Sequence, residues 1–167
     1  MVESLSSFQL GIDLDVKPID VKPSKAQAEA VHAAVVSGPT QEDHDDHFVT
    51  RDGMTFAGTH LLVDLWGASH LDDLEHVEEA LRKAVDAAQA TLLHIHLHHF
   101  TPNGGISGVA VLAESHISIH TWPERNYAAL DVFMCGSADP QKSVPVLDRY
   151  FKPARIEVEE LRRGRVK

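Results

Sequence analysis

Two apolar runs separated by a three-residue polar junction place the tightest constraint on this chain. Residues 109–113 read Val-Ala-Val-Leu-Ala and residues 117–121 read Ile-Ser-Ile-His-Thr, with Glu114-Ser115-His116 between them. The first run is short, β-branched and preceded by a Ser-Gly break, so it predicts a strand. The second alternates Ile117, Ile119 and Thr121 with Ser118 and His120. A strand there puts His116, Ser118 and His120 on the face opposite the isoleucines. Ser115 then stands where two strands meet, with Cys135, the single cysteine of the chain, at the end of a third strand over 127–133.

The flanking segments supply the remaining layers. Residues 58–67 predict a first strand ended by Gly67, and residues 72–90 an amphipathic helix, because Leu74, Val77, Leu81, Val85 and Ala88 recur at three- and four-residue steps. Asp72, Asp73 and Glu75 fall in its first turn, where the helix dipole favours acidic groups. Residues 91–100 alternate as a strand that would set His94, His96 and His98 in a row on one face, and residues 101–105 form a turn by composition. A second helix is expected over 139–150, bent or shortened by Pro145, then a strand over 154–161 and a basic tail. These elements imply an α/β (α+β) two-layer sandwich, with a largely antiparallel sheet and helices on one face.

Residues 1–55 have a different character. Pro18, Pro23 and Pro39 interrupt the segment, residues 42–47 form an acidic run dotted with histidine, and only residues 26–36, capped by Ser24, suit a short helix. A mobile acidic extension over 1–55 ahead of one domain over 56–167 is the expected organisation. The 167 residues are enough for one domain with a sizeable core but not comfortably for two. A net charge of -10 argues against nucleic acid and anionic membrane surfaces as partners. No apolar run is long enough to span a bilayer and no signal pattern opens the chain, which makes the cytoplasm the expected location.

Serine, histidine and cysteine converging at strand ends suit nucleophilic chemistry. A hydrolase would present its serine on a glycine-flanked elbow, whereas Ser115 follows a glutamate at the end of an apolar run. The alternative is attack by the Ser115 hydroxyl on the preceding Glu114 carbonyl. The amide becomes an ester, β-elimination cuts the chain, and the resulting dehydroalanine hydrolyses to a pyruvoyl group. Elimination needs a base near the Ser115 Cα, and histidine suits that task near neutral pH.

The run Glu114-Ser115-His116-Ile117-Ser118-Ile119-His120-Thr121-Trp122-Pro123-Glu124, followed by residues 127–133 and Cys135-Gly136, resembles the bacterial and archaeal S-adenosylmethionine decarboxylase proenzymes. The resemblance extends from about Gly58 to the C-terminus. It implies cleavage between Glu114 and Ser115 into chains 1–114 and 115–167, with a covalent pyruvoyl group derived from Ser115 as the sole cofactor and no metal. That ketone would condense with the substrate amine and draw electrons as carbon dioxide leaves, yielding the aminopropyl donor for spermidine synthesis.

The same resemblance implies roles for His120 and Ser107 in maturation and for Cys135 as the proton donor to the substrate carbon. It also implies substrate contacts for Glu124, Trp122 and Phe100, and a homodimer of cleaved protomers that binds S-adenosylmethionine. Each residue alone has an ordinary explanation, such as a core tryptophan, a surface carboxylate or a small buried thiol; their joint spacing favours the functional one. Two further readings stay open. One is a pyruvoyl-dependent arginine or ornithine decarboxylase on the same fold. The other is a non-catalytic, histidine-rich metal-binding protein using His94, His96 and His98, since imidazole ligates several divalent ions.

Overall fold

The central strands of the sheet alternate buried with more exposed side chains, and this period of two sorts them into a covered and an open sheet face. The computed structural model describes residues 47–166. Its elements are β1 (Val49–Arg51), β2 (Met54–Phe56), β3 (Gly58–Trp66), α1 (Leu74–Ala87), β4 (Leu92–His99), β5 (Ile106–Leu112), β6 (Ser115–Trp122), β7 (Tyr127–Met134), α2 (Val144–Phe151) and β8 (Arg155–Arg163). β1 and β2 pair as a small hairpin, while the other strands form one six-stranded sheet in the order β4-β5-β6-β7-β3-β8. Every neighbouring pair is antiparallel, so the expected fold class is the observed one.

Both helices pack on a single face. Leu61, Val63, Leu65, Ala110, Ile117, Ile119, Leu130 and Val132 point from the sheet into the core, where they meet Val77, Leu81, Ala84 and Val85 of α1 and Leu147 and Phe151 of α2. α1 begins where Asp73 accepts the His76 backbone N–H at 3.1 Å, the capping arrangement that replaces a missing intrahelical bond. The helix expected over 139–150 is two pieces. A one-turn 3-10 segment (Pro140–Ser143) precedes α2, and Pro145 falls in the first turn of α2, where its lacking N–H breaks no helical bond.

The folded unit starts earlier than the expected boundary at residue 56. Residues 49–56 form the β1–β2 hairpin, Phe56 is fully buried, and the Val166 N–H donates to the Thr55 carbonyl. Arg162 pairs with Asp52 at 2.7 Å and covers the Phe56 ring. The alternation that would have revealed so short a hairpin spans only three residues a side, too few to stand out from a loop. The rest of the expected extension, including the 26–36 helix and most of the Asp/His run, lies outside the described residues. Likewise β5 starts at Ile106 and includes Gly108, where the sequence suggests a break. A Cβ on Gly108 would sit 2.2 Å from the His96 carbonyl oxygen, so glycine is there because β4 passes close, not because the strand stops.

Thr121 locks the far end of β6 to the loop ahead of α1. Its buried hydroxyl donates to the Leu71 carbonyl and accepts the Ile106 N–H, both at 2.7 Å. Thr121→Val should leave both backbone groups without partners and destabilise the fold by about 2–4 kcal/mol. Urea unfolding of the variant beside the wild-type chain checks this.

Candidate active site

The residues singled out in the sequence fall in two separate places on the sheet. Along β6 the even-numbered residues His116, Ser118, His120 and Trp122 face away from the helices, as the alternation predicts. Ser115 opens that strand and His120 lies five residues on, roughly 16 Å away at about 3.3 Å per residue. One end therefore holds Glu114, Ser115 and Cys135. The other holds Phe100, Ser107, His120, Trp122 and Glu124.

The first place is the corner where β5 turns into β6. The turn is only Ala113 and Glu114, because Leu112 already pairs with Ser115 across the two strands. Ser115 carries φ +142°, a backbone region that L side chains rarely enter. On the other side Ser115 is paired with Met134, which brings Cys135 beside the junction. The Glu114 carbonyl oxygen accepts the Cys135 backbone N–H and the Cys135 Sγ–H, each at 3.0 Å. Two donors thus converge on the carbonyl that a Ser115 hydroxyl would attack, the arrangement that stabilises an oxyanion. Cys135 is half-buried, and the next residue, Gly136, donates its N–H to the His47 carbonyl.

The Glu114 side chain is held separately. Its carboxylate accepts the Thr91 N–H at 2.8 Å and the Thr91 hydroxyl at 3.1 Å, and the Ala113 N–H donates back to the Thr91 carbonyl at 3.0 Å. Thr91 has no mark in the sequence. It lies between α1 and β4 with no motif around it, and only the pairing of β4 with β5 brings it to the junction.

The second place is a cleft of about 210 Å³ lined by Phe100, Asn103, Gly105, Ser107, His120, Thr121, Trp122 and Glu124. Ser107 and His120 are direct cross-strand partners, and Ser107 Oγ lies 2.8 Å from His120 Nδ1. With the ring proton on Nε2, the hydroxyl donates to Nδ1 and the Nε2–H is presented to the cleft. Phe100 packs edge-on against His98 at 4.5 Å between centroids, and Trp122 neighbours His120 at 6.3 Å. Phe100 and Trp122 are both about two-fifths exposed, and both line the cleft. Gly105 lets the 101–105 turn approach, since a Cβ there would stand 2.9 Å from the Thr121 carbonyl oxygen.

Two networks tie residues of the motif run to partners outside it. His60 Nε2 meets Asp131 Oδ1 at 3.0 Å, and Ser118 donates to the other oxygen of Asp131 at 3.1 Å. Nearer the cleft, Arg155, Trp66, Tyr127 and Trp122 are successive cross-strand neighbours on β8, β3, β7 and β6 and stack as an aromatic ladder. The Tyr127 hydroxyl donates to Asp64 beneath this ladder. His94, His96 and His98 do form the expected row on the open face, opposite Val111, Val109 and Ser107. Among the described residues no three His, Cys, Asp or Glu side chains converge as metal ligands, and no helix is long and apolar enough to cross a membrane.

With fold and site in place, comparison with known proteins gives a family. The S-adenosylmethionine decarboxylase family model matches residues 59–164. An S-adenosylmethionine decarboxylase proenzyme of Thermomicrobium roseum is 48% identical over 114 residues, which is 68% of this chain and 98% of that protein. One of Methanococcus vannielii is 49% identical over 110 residues, 64% of this chain and 89% of that protein. The crystal structure of the adenosylmethionine decarboxylase of Aquifex aeolicus VF5 superposes with a TM-score of 0.61 at 38% identity, over 67% of this chain and 94% of that one. The fold and these relatives define an enzyme of the α+β class. The chain belongs to the S-adenosylmethionine decarboxylase family.

Burial and the bond to Asp64 push the Tyr127 phenol from 10.0 up to about 12, with Asp64 and Glu157 charges adding to the effect. The raised value stabilises the neutral phenol in the folded state. Its contribution is fully present below pH 10 and is lost as pH rises through about 12, because the unfolded chain ionises first. A phenolate absorbance titration should show a late component that disappears in Tyr127→Phe.

Proposed function

We propose that this chain is a proenzyme that cuts itself between Glu114 and Ser115 and then decarboxylates S-adenosylmethionine with the pyruvoyl group so formed. The observation that carries the proposal is the Glu114 carbonyl, held by the N–H and S–H of Cys135 beside a serine of strained φ. Ser115 Oγ attacks that carbonyl carbon while the two donors take up the developing negative charge. The C–N bond then breaks, the hydroxyl proton passes to the nitrogen, and an ester joins the two halves. Loss of the Ser115 Cα proton to a base expels the Glu114 carboxylate, and water releases ammonia from the dehydroalanine to leave a ketone at residue 115.

The residues present suit that group. Ser115 lies at the start of β6, where a new chain end can form without breaking the ladder to β7, and the Cys135 thiol is adjacent to it. When formed, the pyruvoyl group supplies an electron sink for decarboxylation, as the family resemblance implies. Cys135 then returns a proton to the substrate carbon, a task suited to a weakly acidic thiol. Phe100 and Trp122 offer ring faces to a sulfonium or adenine, and Glu124 accepts hydrogen bonds from ribose hydroxyls. This cleft favours the nucleoside substrate over arginine or ornithine, which have no ribose to bind. The expected setting is the cytoplasm.

The separation of the two places supports a homodimer with composite sites. His120 cannot reach the Cα of Ser115 in its own chain across roughly 16 Å of strand. A two-fold axis on the open face would set one protomer's junction against its partner's Ser107–His120 pair, twice over. The open face carries exposed Trp66, Val111, Trp122 and Leu161, an apolar set that a second sheet would cover.

A denaturing intact-mass spectrum of the purified chain tests cleavage. Two chains split at Glu114-Ser115 are expected, the smaller lighter than a serine-initiated peptide by one ammonia. Ser115→Ala should remain a single folded chain without activity, and a cut at the same bond in that variant would sink the assignment. Co-expression tests the composite site. Ser115→Ala and His120→Ala chains should each stay whole alone, yet roughly half of the His120→Ala chains should be cut when dimers pair at random. No cutting in the mixture would place the whole site within one protomer.

A further inference from the structure

We propose that Thr91 is a positioning residue for chain cleavage: by gripping the Glu114 carboxylate it holds the scissile peptide in the strained geometry that Ser115 needs. The inference rests on the self-cleavage proposed for this chain and gives a role to a residue outside the strands that carry the chemistry.

Glu114 at a cut site invites the idea that its carboxylate is the base of the reaction. The geometry points elsewhere. One oxygen accepts the Thr91 N–H at 2.8 Å and the other accepts the Thr91 hydroxyl at 3.1 Å, so both are engaged by one residue. The third bond, from the Ala113 N–H to the Thr91 carbonyl at 3.0 Å, ties the preceding turn residue to the same anchor. Bonds to an ionised carboxylate are the strong kind, and here they are paired and directional. Glu114 is thus clamped at its side chain by Thr91 and at its carbonyl by Cys135.

The clamp matters because of the backbone strain at the adjoining residue. Ser115 is neither glycine nor asparagine, yet it holds φ +142° immediately after a two-residue turn. Such a conformation persists only where the surroundings over-determine it. Release of the carboxylate would let Ser115 relax to negative φ, and that rotation swings the Glu114 carbonyl away from the two Cys135 donors. The step at stake moves the Glu114 acyl group from nitrogen to Ser115 Oγ. One C–O bond forms, one C–N bond breaks, and the hydroxyl proton ends on the freed amine. Its rate depends on keeping hydroxyl, carbonyl and donors in register.

The test measures, by denaturing mass spectrometry, the first-order conversion of newly synthesised full-length chain to two chains. Thr91→Val, which keeps the N–H and the shape but loses the hydroxyl, should slow cleavage roughly tenfold. Thr91→Ser should recover the wild-type rate within about twofold, and Glu114→Ala should slow it on the order of a hundredfold. Thermal unfolding of Thr91→Val placed in the uncut Ser115→Ala chain should match that of Ser115→Ala alone. The proposal is overturned if Thr91→Val is cut at the wild-type rate, if Thr91→Ser is as slow as Thr91→Val, or if the loss of rate tracks a lower unfolding temperature. Those results, with wild-type chain splitting normally, remove the anchor and spare the self-cleavage reading. A wild-type chain that stays whole, or a Ser115→Ala chain that is cut, removes both.

Discussion

Register between β6 and its two neighbours is the constraint on which the rest depends. Ser115 opposite Met134 sets Cys135 beside Glu114, and His120 opposite Ser107 makes the hydroxyl–imidazole pair. A slip of one residue would turn Ile117 and Ile119 to the open face and bury Ser118 and His120 among α1 side chains. The apolar period of β6 therefore does two jobs. It holds the sheet to the helices, and in doing so it fixes which atoms meet at the junction. The positions of Ser107, Ser115 and His120 are thus inherited from core packing.

That dependence explains why so much is legible in the sequence. Ile117, Ile119 and Thr121 alternating with Ser118 and His120 fix the strand, its faces and the position of Ser115 at its start, because side-chain direction has a period of two. The helix at Leu74–Ala87 and the antiparallel sheet arise from equally regular patterns. The features that periodicity misses are long-range or brief. Thr91 reaches Glu114 only through β4–β5 pairing, across 23 residues. The Trp66–Tyr127 stack joins strands far apart in the chain, and the β1–β2 hairpin is too short for periodicity to register. The Gly104-Gly105 turn is recognisable by composition, but that Gly105 admits the Thr121 carbonyl is visible only in three dimensions.

The separation of the junction from the Ser107–His120 pair is also hidden in the sequence, for a simple reason. Spacing along the chain says which residues share a face but not whether five residues of extended chain can fold back on themselves. In a strand they cannot. In the proposed dimer such residues meet through symmetry, and a two-fold relation doubles every such meeting at no cost in sequence. Among the described residues the helices cover one face of the sheet and no element covers the other, the face on which the proposed dimer would form.

The aromatic ladder has an optical consequence. The chain contains two tryptophans, Trp66 and Trp122, and both belong to the stack around Tyr127 at the Glu124 end of the sheet. Indole emission from this protein therefore originates at one location, with no background from the helical layer or from the Glu114–Ser115 corner. Trp122 lines the cleft and Trp66 lies against Arg155 on the open face. Quenching or a spectral shift consequently reports events at that end of the sheet alone, and the chain carries its own local fluorophore beside the cleft.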